Sequence, residues 1–248
     1  MRHLFIALKQ WAGLVLVSLI LLQVFMAGRV AFMAWVNPSS TAFERSQAWQ
    51  MIAAQGSLQW RQKWNSADQI STQLKRAVLA SEDSAFTQHN GVWWESIEKA
   101  WRKNSKAQAK LDAMAAAKKD AKTVAPKIVG GSTITQQLAK NLLLTGERTM
   151  LRKAQEWVIT LALESFLSKQ EILTLYLNHV EWGQGVFGAE AAAQHYFQKS
   201  AGKLTAWESA RLAVMLPRPR YFEKLPQSVY LSDRAQTIML RMNDVALP

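Results

Sequence analysis

From Gln10 to Gly28 the chain carries no charge and is largely apolar, and Val30 to Val36 extend the run beyond Arg29. Wound as an α-helix, such a stretch rises about 28 Å, close to the hydrocarbon thickness of a bilayer. A chain that begins this way must place that surface in lipid or lose it to a signal peptidase. Trp11 and Trp35 stand near the two ends, where indole rings suit the membrane interface, and Arg29 reaches the headgroups along its stem. Arg2, His3 and Lys9 precede the span, so the positive-inside rule keeps the N-terminus cytoplasmic and sends everything after Val36 across the membrane. A cleaved signal peptide is the alternative. Its apolar core is usually shorter, and no clean A-x-A cleavage site lies between Met26 and Trp35. The expected division is a cytoplasmic N-terminus and transmembrane anchor over residues 1–36, then one extracytoplasmic domain over 37–248.

Within 248 residues, 30 Lys and Arg oppose 18 Asp and Glu, a net charge of +12. That balance favours a polyanionic partner: nucleic acid, acidic lipid or a diphosphate. Charge alone does not choose among them. Cysteine is absent, which excludes a disulfide framework, a thiolate nucleophile and a thiolate metal site.

Asn37-Pro38-Ser39-Ser40 breaks the chain after the anchor, and a polar stretch with Trp49, Trp60 and Trp64 follows. Apolar residues then recur at helical spacing from Leu74 through Ala77 and Val78, and that run ends in Ser81-Glu82-Asp83 before a turn at Asn90-Gly91. A second helical piece is expected around Trp94 to Trp101. Residues 102–127 are rich in alanine and lysine, with eight basic residues against Asp112 and Asp120. Such a composition builds a surface helix or a solvated insertion rather than core. Thr133 and Gln136 have the spacing of a capping box for a helix through Leu144 that Gly146 would stop. A longer helix is predicted from about Leu151 to Asn178. Gly183 to Gly188 reads as a glycine-rich loop, and no strand pattern surrounds it to make a dinucleotide site. Helices are expected over 188–196, 205–216 and 232–242, with Pro217 and Pro219 between the last two. The fold class is mainly α.

Two constellations carry candidate chemistry. Glu82 and Asp83 sit where a helix ends, and a carboxylate there opposes the helix dipole, which raises its pKa and suits it to accept a proton near neutral pH. An acidic pair before a loop is more often solvated surface. The second constellation is Lys140, Arg148, Arg152 and Lys153 with Gln136, Gln137 and Asn141 nearby. Cations and amides of this kind hold phosphates, and Ser132 and Thr133 at a helix start add anion-binding donors. Arg152 and Glu156 are also spaced as an ordinary helical ion pair. Together the two suggest a base beside a diphosphate-sized pocket. A diphosphate leaving group needs positive charge, whereas hydrolysis of a glycoside needs a protonated carboxyl.

These residues resemble the peptidoglycan glycosyltransferase (transglycosylase) family, in its monofunctional membrane-anchored branch. Glu82 to Gly91 is similar to the family's E-D-x-x-F-x-x-H-x-G, Gly130 to Asn141 to its GGSTITQQLAKN stretch, and Arg152 to Glu156 to its R-K-x-x-E. Ile172 to Phe197 and Leu204 to Pro217 are similar to its fourth and fifth stretches, so the resemblance covers about 74–222.

The resemblance implies a mainly α, lysozyme-like, two-lobed glycosyltransferase domain behind one N-terminal transmembrane helix. It implies polymerisation of lipid II, and of the growing lipid-linked glycan chain, into β-1,4 strands with inversion and release of undecaprenyl diphosphate. Glu82 would be the base and Glu156 the second catalytic carboxylate. Lys140, Arg148, Arg152 and Lys153 would hold the diphosphate, and Asp83, Phe86, His89, Ser132, Thr133, Gln136, Gln137 and Asn178 would shape the groove. For Phe86, His89 and Asn178 a purely structural role is an equal alternative. No cofactor is obligatory on this reading, with a divalent cation such as Mg2+ or Mn2+ an option at the diphosphate. Partners would be membrane lipids and cell-division or elongation proteins, not nucleic acid, and the location the cytoplasmic (inner) membrane.

Two departures stand out. Trp93 occupies a place where the family usually has an aspartate, and the basic insertion is longer than expected. Ser96 to Lys99 and Ser200 to Lys203 match S-x-x-K without the S-x-N or K-T-G that a transpeptidase needs. Two other functions compete: a lytic muramidase cleaving the same polymer, and a catalytically silent cell-wall scaffold.

Overall fold

The structure is a computed structural model that describes residues 2–95, 98, 101, 102, 105–107, 109, 131–144 and 149–248. Most of the basic insertion, Gly130, Gly146, Arg148 and the first S-x-x-K lie outside the described residues.

Helix α1 (Arg2–Phe32) is long and apolar enough to cross a membrane. Leu14 to Leu22, Val24 and Phe25 are largely exposed along it, as are Trp11 and Trp35 near its ends. From Gln23 onward it meets the domain, and Val30, with Met33 just past its end, enters the common core. The polar tryptophan stretch then resolves into α2 (Ala42–Gln55) and an extended strap. A capping box between Thr41 and Glu44 starts α2, and Gly56 ends it in the left-handed region.

Helix α3 (Thr72–Glu82) begins at the N-cap Ser71 and buries Leu74, Ala77, Val78 and Leu79. It packs with α8 (Ala206–Met215) and α10 (Val229–Arg241). A second group is built on α4 (Ile134–Leu143), which lies against α2, α5 (Met150–Phe166) and α6 (Lys169–His179). The capping box expected at Thr133 is formed, Thr133 Oγ1 accepting from Gln136 N and Gln136 Oε1 accepting from Thr133 N. Such a cap stabilises a helix start by about 1 kcal/mol.

The single helix predicted over 151–178 is two helices. Ser168 and Glu171 form a further capping box that restarts the chain as α6 after Leu167. The apolar pattern runs through the break because Leu167 and Ile172 both enter the same core.

A short antiparallel hairpin, β1 (Glu181–Gly183) with β2 (Val186–Phe187), replaces the expected glycine-rich loop. It is missed by periodicity because strands this short, buried on both faces, show no alternation. Gly185 turns it at φ +72°, and a Cβ there would lie 1.9 Å from the Gln59 carbonyl oxygen, so only glycine fits. Helices α7 (Ala189–Phe197) and α9 (Pro219–Phe222) complete the order, the latter opening on the proline expected to break the chain. The mainly α, lysozyme-like class expected from sequence holds.

Candidate active site

Glu82 is the last residue of α3, and its neighbour Asp83 caps that helix through Asp83 N–H donating to Leu79 O. From this joint the two carboxylates diverge. Asp83 is buried and takes three hydrogen-bond contacts: Ile134 N–H donates to Oδ2 at 3.0 Å, and His89 Nε2 lies 2.9 Å from Oδ1 and 3.1 Å from Oδ2. Ile134 opens α4, so Asp83 places negative charge at a helix N-terminus, where the dipole favours it. The Gly91 N–H donates to His89 Nδ1 at 3.1 Å, which puts the ring proton on Nε2, aimed at Asp83. Thr133 Oγ1 donates to Gly91 O at 2.6 Å. Gly91 itself has φ +81°, and a Cβ there would meet Thr160 Cγ2 at 2.6 Å. Asp83, His89, Gly91 and Thr133 thus form a closed set that ties the end of α3 to the start of α4.

Glu82 points elsewhere. Gln137, one turn into α4, donates from Nε2 to Glu82 Oε2 at 2.9 Å. Burial pushes the Glu82 carboxyl above the usual glutamate range, and the Asp83 charge adds to that. The Gln137 and Ser81 hydrogen bonds and the Arg234 charge pull the other way. The rise expected at a helix C-terminus is present, and its leading cause is desolvation.

Lys140 follows Gln137 by three residues and so shares its helix face. Its side chain is exposed, as is Ser132 just before the cap. On α5 the buried carboxylate of Glu156 accepts from Arg152 Nη1 at 2.9 Å and from Lys153 Nζ. Arg152 is mostly buried, and its Nε is buried without a hydrogen-bond partner among the described residues. Helix α4 touches α3 through Asp83 and Gln137 and packs on α5. It is the shared wall between the Glu82 end and the cation cluster.

Three expected groove residues take structural positions. Phe86 is buried, with its ring edge-on to His89 and Lys169 Nζ 4.5 Å from its centroid. Asn178 is buried and clamps the strap: Oδ1 accepts from Asn65 N at 2.8 Å, and Nδ2 donates to Asn65 O and Thr174 O. His89 is held by the closed set above and stacks on Trp93, 6.5 Å between centroids. Trp93, in the place of the family aspartate, lines a cavity of about 480 Å³ with His89, Trp94 and Leu161. Arg148 lies outside the described residues.

Sequence reasoning missed Tyr176. This buried side chain donates from its hydroxyl to Gln137 Oε1 at 3.0 Å. Its only signal was its place in the span from Ile172 to Phe197 that is similar to the family's fourth stretch, where it reads as core.

Among the described residues, no three His, Asp or Glu side chains converge to hold a metal ion. Both Glu156 oxygens already accept from cations, a donor set that suits a diphosphate's negative charge better than a resident divalent ion.

The transglycosylase family model matches residues 49–243. The chain belongs to the transglycosylase family. A biosynthetic peptidoglycan transglycosylase of Paraburkholderia phytofirmans is 47% identical over 226 residues, which are 91% of this chain and 87% of that protein. Proteins of the same name from Burkholderia orbicola and Burkholderia thailandensis are 46% and 45% identical, over 91% of this chain and 85% and 82% of theirs. The family match takes in Glu82, the α4 wall and the Glu156 cluster together, so the transglycosylase domain holds both constellations.

Proposed function

We propose that this transglycosylase polymerises lipid II into β-1,4 glycan strands, with Glu82 as general base and the α4–α5 cations as the diphosphate site. The observation that carries the reading is the state of Glu82. Its side chain is half-buried, anchored by one oxygen to Gln137, and set on the helix wall that also presents Lys140. Glu82 takes the proton from the 4-hydroxyl of the acceptor sugar. That oxygen attacks the anomeric carbon of the lipid-linked donor, the bond from that carbon to the diphosphate oxygen breaks, and the α linkage inverts to β. The electron pair leaves on the diphosphate, where Lys140, Arg152 and Lys153 meet the growing negative charge. Glu156 keeps Arg152 and Lys153 in place between turnovers. A divalent ion at the diphosphate would arrive with the substrate rather than on a protein cage.

A raised carboxyl pKa alone would equally suit the general acid of a lytic muramidase. The cation cluster favours transfer, because an alkoxide leaving group has no use for it. In the same reading, residues 1–36 are the cytoplasmic N-terminus and anchor, and residues 37–248 work outside the cytoplasmic membrane, as Arg2, His3 and Lys9 direct. Membrane lipids are then constant neighbours, and cell-division or elongation proteins are candidate partners.

The test is to give purified full-length protein lipid II in one reaction and finished glycan in another. A polymer ladder from the first and no change in the second is expected. Shortened strands from finished glycan would mark a lytic enzyme, and no reaction in either a scaffold.

A further inference from the structure

We infer that Tyr176 is a positioning residue for the base: its hydroxyl fixes which end of the Gln137 amide faces Glu82, and so which Glu82 oxygen is free to take the proton. This inference rests on the reading of Glu82 as general base.

The three groups form one chain of hydrogen bonds. Tyr176 Oη donates to Gln137 Oε1 at 3.0 Å, and Gln137 Nε2 donates to Glu82 Oε2 at 2.9 Å. Tyr176 comes from α6, Gln137 from α4 and Glu82 from α3, so the relay crosses all three helices. Among the described residues the Tyr176 hydroxyl has no other hydrogen bond. Burial, then the charges of Glu82 and Asp83, hold the phenol well above its usual range. The phenol therefore stays protonated, and a permanent donor, at any pH where the enzyme works.

An amide has nearly the same shape either way round, but its two ends are opposite in hydrogen bonding. Flipped, Gln137 would turn Oε1 toward Glu82. An ionised Glu82 would be repelled, and a protonated Glu82 would gain an acceptor. The flipped amide would also leave the buried Tyr176 proton without its acceptor, at a cost. Tyr176 thus weights the pair toward the ionised base. With Oε2 occupied by Gln137, Oε1 is the oxygen left for the acceptor hydroxyl; among the described residues it accepts a hydrogen bond only from Ser81 Oγ, at 3.5 Å.

Tyr176→Phe keeps the ring and removes the proton. One neutral hydrogen bond corresponds to roughly a two- to tenfold effect. Polymerisation of lipid II by the full-length variant should fall by about that factor. The acidic limb of its rate against pH should move up by roughly half to one unit. Binding of labelled lipid II, measured in a Glu82→Gln background to stop turnover, should not change. A ring-fluorinated tyrosine at position 176, a stronger donor of the same shape, should move the limb the other way, and it decides the question if Tyr176→Phe does not fold. Superimposable pH profiles for wild type and these variants, with Glu82→Gln inactive, would overturn the relay and leave the base assignment standing. An active Glu82→Gln would remove the base assignment and this inference with it.

Discussion

The side-chain amides of Gln23 and Gln155 exchange two hydrogen bonds, each 3.0 Å long, between α1 and α5. Gln23 lies nine residues before Phe32, so about 13 Å along the helix from its C-terminal end. Gln155 sits between Lys153 and Glu156 on the helix that carries the cation cluster. Helix α1 is therefore keyed to the proposed donor-site helix by a polar pair within the stretch that is apolar enough to cross a membrane. Paired polar side chains in a bilayer contribute about 0.6–2 kcal/mol. Gln23→Leu and Gln155→Leu should each destabilise the full-length protein in detergent. The double variant should lose less than the sum, with a coupling energy in that range. Additive losses would mean that the pair does not couple the two helices.

Asp83 and Glu82 are adjacent in sequence, yet the geometry gives them different work. Asp83→Asn would exchange a carboxylate at the start of α4 for a neutral amide and disturb the bond to His89. Its expected cost is about 2–3 kcal/mol of folding stability. Thermal unfolding should show a clear fall in Tm, while turnover measured well below that Tm persists in part. Loss of all activity with an unchanged Tm would place Asp83 in the chemistry instead.

Glu156 holds Arg152 and Lys153, so its loss should act on the donor. Glu156→Gln is expected to weaken binding of labelled lipid II as well as slow turnover, because two cations lose their shared partner in a mostly buried site. Arg152→Lys should be poorly tolerated, since an ammonium cannot reproduce the planar two-point geometry of a guanidinium. Near-normal turnover in Arg152→Ala would return that residue to a simple ion-pair role.

Much of this site was legible in the chain itself. Thr133 and Gln136 announced the cap of α4, and the spacing of Lys140, Arg152 and Lys153 pointed to the anion site proposed above, because both readings depend on local spacing. What escaped depends on contacts across the fold. Tyr176 reads as one more apolar residue of a helix until α4 is laid against α6. Asn178 reads equally as a groove or a structural residue in the chain alone, and the strap at Asn65 that it holds is visible only in the fold. The break at Ser168 hid within an apolar run, although its capping box with Glu171 was readable. The cause of the shift at Glu82 was also misjudged, since burial cannot be seen in a helix end considered alone.

The raised Glu82 pKa has two consequences with defined signs. A base must be deprotonated to act, so the acidic limb of polymerisation against pH should lie above the ordinary glutamate range. Folding binds a proton more tightly here, so stability should fall as pH rises from the unfolded value of this carboxyl through its raised folded value. Glu82→Gln removes that penalty, and its Tm at neutral pH should equal or exceed that of wild type. A lower Tm would show that the carboxylate stabilises the fold.

The central assignment is tested most directly by single-turnover polymerisation of lipid II in Glu82→Gln, with binding of labelled lipid II measured on the same preparation. The amide keeps the shape and removes the base, and general-base catalysis contributes about 10²- to 10⁴-fold. The expected result is lipid II binding at wild-type affinity with a rate reduced by at least about a hundredfold. Binding that falls in proportion to rate, or polymerisation at near wild-type speed, would contradict Glu82 as the general base.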